Sequence, residues 1–308
     1  MSAGVTDIEV TTTGEPIDND HFTSIGLTDE WILRRTGIRN RWWMSPSRDL
    51  ADVAAEVCGP LVSRNAGIGA LLLVSTSAEQ TIPGLAQQVA TRAGLPRNVL
   101  ALDMNAACSG FVYGVVMALG MCESGQVDAV VVCSVEAMSR MIDRTDRSTA
   151  ILFGDGSGAV VVADRPGFRP SKWVAGCDGA GADLMYRNDA GIVLDGQQVY
   201  DRATRMMAGV AAELCDATPA PTVVIGHQAN ARILDKVRRS IPDKSISFVD
   251  VIESFGNTSS ASIPLAWGTS LEDRSIPAAG RAALVSYGAG ETWGGVSVDY
   301  EMRSEGAR

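Results

Sequence analysis

The stretch Asp103-Met104-Asn105-Ala106-Ala107-Cys108-Ser109-Gly110-Phe111 decides how this chain is read. Before it, Val99-Leu100-Ala101-Leu102 has the character of a strand. After it, Phe111, Val112, Val115, Val116 and Leu119 recur at helical spacing. A cysteine therefore stands at the seam between a strand and a helix. Ala106, Ala107 and Gly110 are small and let backbones approach closely at the turn. Free N–H groups and the positive end of the helix dipole favour a thiolate there. This is a nucleophile's setting; the competing reading is a buried core thiol.

Working outward, the segments alternate between strand and helix. A helix is expected over 49–64, a strand over 70–74, and a helix over 84–93 stopped by Gly94 and Pro96. Strands follow over 127–134 and 159–163. Residues 1–50 read as irregular and polar. The loop-rich run 164–200 divides the chain into halves, 1–165 and 166–308. The second half then repeats the first. It has a helix over 200–215, a strand at 223–225, a helix at 230–239 and a strand at 248–251. Gly256-Asn257-Thr258-Ser259-Ser260-Ala261 turns into a helix, and a strand follows at 283–286. Shared element order points to a duplicated α/β unit with largely parallel, buried sheets. Such a unit gathers its strand-to-helix turns near a pseudo-two-fold axis. Cys108, Asn257 and the turn Gly226-His227-Gln228-Ala229-Asn230 are expected to meet there. His21 and His227 are the chain's two histidines.

Composition excludes several classes. The 308 residues carry a formal net charge of −10, which argues against a nonspecific nucleic-acid binder. No apolar run reaches the roughly 18 residues that span a bilayer. None of the six cysteines forms a C-x-x-C pair, and no signal segment is evident. They read as reduced thiols of a cytoplasmic protein. So few histidines argue against a histidine-rich metal site, and no metal is expected. Gly154-Asp155-Gly156-Ser157-Gly158 looks like a phosphate loop, but no Lys-Ser/Thr follows and it leads into a strand. It reads as structural support.

Together these residues resemble the thiolase superfamily, and most closely its β-ketoacyl-acyl carrier protein synthase III family. The resemblance runs from about Thr28 to Val298. It rests on Asp29-Glu30-Trp31-Ile32-Leu33-Arg34-Arg35-Thr36-Gly37-Ile38, the Cys108 turn, Phe153-Gly154-Asp155-Gly156, the His227 and Asn257 turns, and Gly288-Ala289-Gly290-Glu291-Thr292-Trp293-Gly294. It implies a five-layered αβαβα sandwich and a homodimer built across the first-half sheet. It also implies a decarboxylating condensing enzyme without a cofactor. Its substrates would be coenzyme A or phosphopantetheine thioesters, and acyl carrier protein its partner. By the same resemblance Cys108 is the nucleophile, with His227 and Asn257 donating to an enolate oxygen. The backbone N–H groups of Cys108 and Ala289 would form the oxyanion site.

Further positions follow from the resemblance. Trp31, Arg35 and Arg147 would hold the adenine and phosphate end of coenzyme A, and Asn230 the pantetheine arm. Phe153 and Tyr287 would line the acyl pocket, and Ile82 would close it across the dimer. Arg232 and Lys236, with Arg238 and Arg239, would form the basic patch for the carrier protein. Tyr287 replaces a usual Phe, and Glu291 a usual apolar residue. Glu291 is expected to pair with an arginine; the alternative is a carboxyl that faces the cavity and acts as acid or base. Two other functions compete with condensation. One is a non-decarboxylating acyltransferase, which an aspartate at position 257 would have favoured; the other is a silent partner subunit.

Overall fold

The computed structural model describes residues 2–303. Its organising feature is a pair of five-stranded sheets of the same topology. The first runs Ala3–Thr11, Asp155–Asp164, Ala129–Ala137, Ile68–Val74, Leu100–Met104. The second runs Lys172–Cys177, Thr292–Glu301, Ala279–Gly288, Val223–Gly226, Ser247–Val249. In both, the first three strands are antiparallel neighbours and the last two pair in parallel. One register pair, Val5 against Tyr300, joins the first strand of one sheet to the second strand of the other. Sheet topology thus repeats as the sequence pattern predicts.

Side-chain alternation along each strand sorts the chain into five layers. Leu72, Val74, Val132 and Val160 of the first sheet face the middle, as do Ile225, Leu284 and Val296 of the second. Between them lie the helices Gly110–Glu123 and Ser262–Glu272, which contribute Phe111, Val115 and the fully buried Trp267. Leu71, Leu73 and Val131 point the other way, onto Val53, Val57 and Leu61 of the helix Leu50–Arg64. On the far side Val224 and Val285 meet Met207, Leu214 and Val237 of the helices Gly196–Cys215 and Ala231–Ser240. Each such buried side chain contributes about 1.5–3 kcal/mol. The central helices are mostly apolar and mostly buried because sheets cover both flanks.

Several boundaries differ from the sequence reading. The first fifty residues are not irregular. They contain the strand Ala3–Thr11, a small ribbon of Glu15–Asp18 with Asn40–Trp43, and the helix Asp29–Thr36. Asp7 and Glu9 disguise the first strand as polar, but both pair with Arg64. The glycine-rich run 154–158 is mostly strand. A Cβ at Gly156 would meet Leu265 at 2.4 Å, so its glycine admits the central helix. Lys172–Cys177, Thr292–Glu301 and the hairpin Met185–Asn188 with Gly191–Leu194 add strands that the sequence pattern did not mark.

Candidate active site

Two matching elbows build the floor of the site. Asn105 Oδ1 accepts from Ala107 N at 3.0 Å, and Asn257 Oδ1 accepts from Ser259 N at 2.9 Å. Ala107 and Ser259 both hold positive φ, 47° and 51°. A short 3-10 turn follows each, Ala107–Ser109 and Ser259–Ala261, and then a central helix. The elbows therefore correspond as expected, but in a different register. Asn257 is the counterpart of Asn105, and Cys108 that of Ser260. The left-handed residues cost about 1–2 kcal/mol each, and the asparagine side chains hold them in place.

The elbows touch. Cys108 Sγ lies 3.7 Å from Ser259 Oγ. Burial pushes the Cys108 thiol up to about 12. Desolvation thus opposes the thiolate-favouring pull expected of a helix terminus. Behind the elbows, the fully buried Glu136 carboxylate accepts from Ser260 Oγ at 2.5 Å and from Thr76 N, Ser77 N and Ser77 Oγ. Asn257 is set by its neighbours: its N–H donates to Leu152 O at 2.8 Å, and Gly154 N donates to its carbonyl at 3.0 Å. Gly256 before it has φ 65° and ψ −162°, and a Cβ there would sit 2.9 Å from Leu152 O. Only glycine fits both demands.

His227 follows the strand Val223–Gly226, and its N–H donates to Val285 O at 2.8 Å. Its Nδ1 lies 2.6 Å from Ser262 Oγ, which also accepts from Gln228 N at 3.3 Å. Gln228 N–H takes one lone pair of Oγ, and the hydroxyl keeps a proton that it can donate to Nδ1; in that arrangement the ring hydrogen sits on Nε2. Burial lowers His227 to about 4, so the ring is neutral at physiological pH. An equivalent argument fixes the Asn257 amide. Ser259 N–H can only donate, so the atom it meets is oxygen, and among the described residues Nδ2 has no hydrogen-bond acceptor.

Cys108, His227 and Asn257 line one cavity of about 470 Å³, together with Phe153 and Tyr287. At its outer end are Trp31, Arg35, Arg147, Asn230 and Arg232. Arg35 stacks on Trp31 at 4.9 Å, Arg232 stacks on Tyr200 at 5.0 Å, and Arg147 donates to Gly26 O at 3.2 Å. The Asn230 amide is already engaged: Oδ1 caps Arg232 N, and Nδ2 donates to Arg35 O. Met185, Leu194 and Tyr200 also line the cavity, and the sequence reading missed them because their hairpin and helix start lie in the loop-rich run. Three expected positions lie off it. Lys236 is exposed on the helix Ala231–Ser240, and Ala289 is half-buried in the turn behind Cys108. Ile82 is 89% exposed, with no place in this chain's own cavity. Glu291 points away from the cavity and pairs with Arg202, as the favoured expectation had it.

Comparison with known proteins agrees with this geometry. Residues 102–179 match 3-oxoacyl-[acyl-carrier-protein (ACP)] synthase III, and residues 220–300 match its C-terminal domain. A β-ketoacyl-[acyl-carrier-protein] synthase III of Staphylococcus saprophyticus is 36% identical over 298 residues, 92% of this chain and 94% of that one. The chain belongs to the β-ketoacyl-[acyl-carrier-protein] synthase III family. The solved synthase III of Thermus thermophilus superimposes with a TM-score of 0.89 at 30% identity, covering 96% of this chain and 98% of its own. A priming β-ketosynthase from the R1128 polyketide biosynthetic pathway gives 0.90 at 27% identity, covering 97% and 96%. Like its synthase III relatives, this protein has the thiolase-type sandwich and is a condensing acyltransferase.

The raised Cys108 pKa has a measurable consequence. Alkylation of Cys108, followed by peptide mass, should accelerate about tenfold per pH unit from pH 7 to pH 9. A plateau near pH 7 would show a thiolate already formed.

Proposed function

We propose that Cys108 takes an acyl group from a coenzyme A or phosphopantetheine thioester and joins it to a malonyl-type thioester with loss of CO₂, in fatty-acid initiation or polyketide priming. The observation that carries this reading is that His227 and Asn257 line one cavity with the thiol. With Ser262 donating to Nδ1, His227 offers Nε2–H, and Asn257, whose oxygen accepts from Ser259 N, offers its Nδ2.

In the first step the Cys108 sulfur attacks the thioester carbonyl, the donor's C–S bond breaks, and the thiol proton ends on the leaving thiol. Cys108 and Ala289 N–H groups receive the tetrahedral oxyanion. In the second step the malonyl carboxylate leaves as CO₂, and charge moves to the thioester oxygen, where His227 and Asn257 donate. The carbanion attacks the acyl carbon, the bond to Cys108 sulfur breaks, and the thiolate regains a proton from solvent. Asn257 is an amide and no base, which disfavours non-decarboxylating transfer. This chemistry uses no metal or prosthetic group.

At the outer end, Trp31 offers a face for adenine, and Arg35 and Arg147 offer charge for phosphate. Asn230 shapes the pantetheine channel through the helix it caps. Arg232 and Lys236 stand on the exposed face beside the entrance, suited to an acidic carrier protein. Two copies would pair through the edge strand Leu100–Met104, where Leu100 and Leu102 are exposed, and each Ile82 would then reach the other's acyl pocket beside Phe153 and Tyr287. All six cysteines are unpaired, in keeping with a cytoplasmic enzyme.

Mutation separates the roles. Cys108→Ala should form no acyl adduct. His227→Ala and Asn257→Ala should still acylate Cys108 but lose about 10²–10³ in malonyl decarboxylation. Ser262→Ala should lose about tenfold in the same step, and Ser262→Thr should retain it. Loss of acylation with decarboxylation intact would reverse the assignment.

Sedimentation should give a dimer, and Leu102→Lys a monomer that keeps its fold. A stable, active wild-type monomer would remove the role given to Ile82.

A further inference from the structure

The turn Gly288–Thr292 is gripped from two sides. On one side it backs onto the nucleophile. A Cβ at Gly288 would lie 2.9 Å from Cys108 N and 3.1 Å from Ser109 N. Ser109 Oγ donates to Thr292 O at 3.1 Å, and Thr292 Oγ1 lies 3.4 Å from the carbonyls of both Ala106 and Ala289. On the other side stands Glu291, a non-glycine residue with φ 49° and a side chain only 2% exposed. Its carboxylate pairs with the Arg202 guanidinium on the helix Gly196–Cys215. The backbone of Gly181 closes over it, since a Cβ there would fall 2.2 Å from Oε2. Asp178 N donates to Glu291 O at 3.1 Å. The same helix lines the active cavity with Val199, Tyr200 and Ala203.

A buried carboxylate on a left-handed residue holds its backbone only while its partner stays in place. We propose that Glu291 and Arg202 form a latch that sets the Ala289 peptide against Cys108. Glu291 is then a positioning residue for acyl-enzyme formation rather than an acid or base. This rests on the reading that the Ala289 N–H serves the oxyanion. The latch joins the cavity wall to the oxyanion turn, so one ion pair fixes both. Its charge is turned away from the substrate cavity.

The test compares Glu291→Gln, Arg202→Met and the double variant with wild type. Cys108 acylation by an acyl-coenzyme A is measured by intact mass, and malonyl decarboxylation is measured separately. Amide exchange is followed over residues 286–293 and 223–230. Each single variant should slow acylation by about tenfold to hundredfold, the scale of a small misplacement. The double variant should be no slower than the worse single, because both remove one interaction. Decarboxylation and the shape of the acylation pH profile should be unchanged. Exchange should quicken over 286–293 and stay constant over 223–230. Unaltered exchange in Glu291→Gln would overturn the latch, and so would faster exchange with wild-type acylation. A pH profile that loses a limb in Glu291→Gln would make Glu291 an acid or base. Wild-type protein that acylates Cys108 with no thioester would instead contradict the proposed function, and the exchange comparison would still decide the latch.

Discussion

The site depends on a hydrogen bond made twice: an asparagine side-chain oxygen accepts the backbone N–H two residues on, and so holds the chain in a left-handed turn. Asn105 does this for Ala107, and Asn257 for Ser259. Each turn redirects a strand-side segment into a central helix. Because the two sheets share one topology, the elbows arrive face to face. Cys108 comes from one, and the amide of Asn257 from the other. The second bond has a further effect. It engages Asn257 through its oxygen and leaves only its donor group open to the cavity.

The same economy governs His227. One serine hydroxyl, placed at the first turn of a central helix, engages Nδ1 and leaves Nε2 as the donor that the proposed chemistry uses. The site thus presents two neutral donors and a protonated thiol in a buried pocket. Such an arrangement suits charge that appears on a substrate oxygen during reaction and is absent before it. Burial raises the cysteine and lowers the histidine, so neither bears charge in the resting protein.

Much of this was legible in the sequence, because small residues around Cys108 and the glycines near His227 and Asn257 mark close approach at turns. The repeat was legible because buried parallel strands read as short apolar runs. Other features depend on contacts that no local pattern carries. Asp7 and Glu9 make the first strand look polar until Arg64, far along the chain, is seen to pair with them. The three-residue offset between the elbows emerged from φ angles and asparagine bonds. Nothing local in the sequence marks Ser262, whose part comes from His227 packed against it. The thiol's raised pKa reflects how deeply the fold buries it, which a helix-terminus argument does not weigh.

The central claim is that one sulfur accepts the acyl group and two neutral donors then release it to a carbanion. A single-turnover mass chase tests it most directly. Wild-type protein is loaded with an acyl group, freed of excess donor and mixed with a malonyl thioester. The account predicts that the adduct on Cys108 disappears with one CO₂ released per acyl group lost, and that an acetyl thioester added instead leaves it in place. Discharge by the acetyl thioester, or loss of the adduct without CO₂, would contradict it.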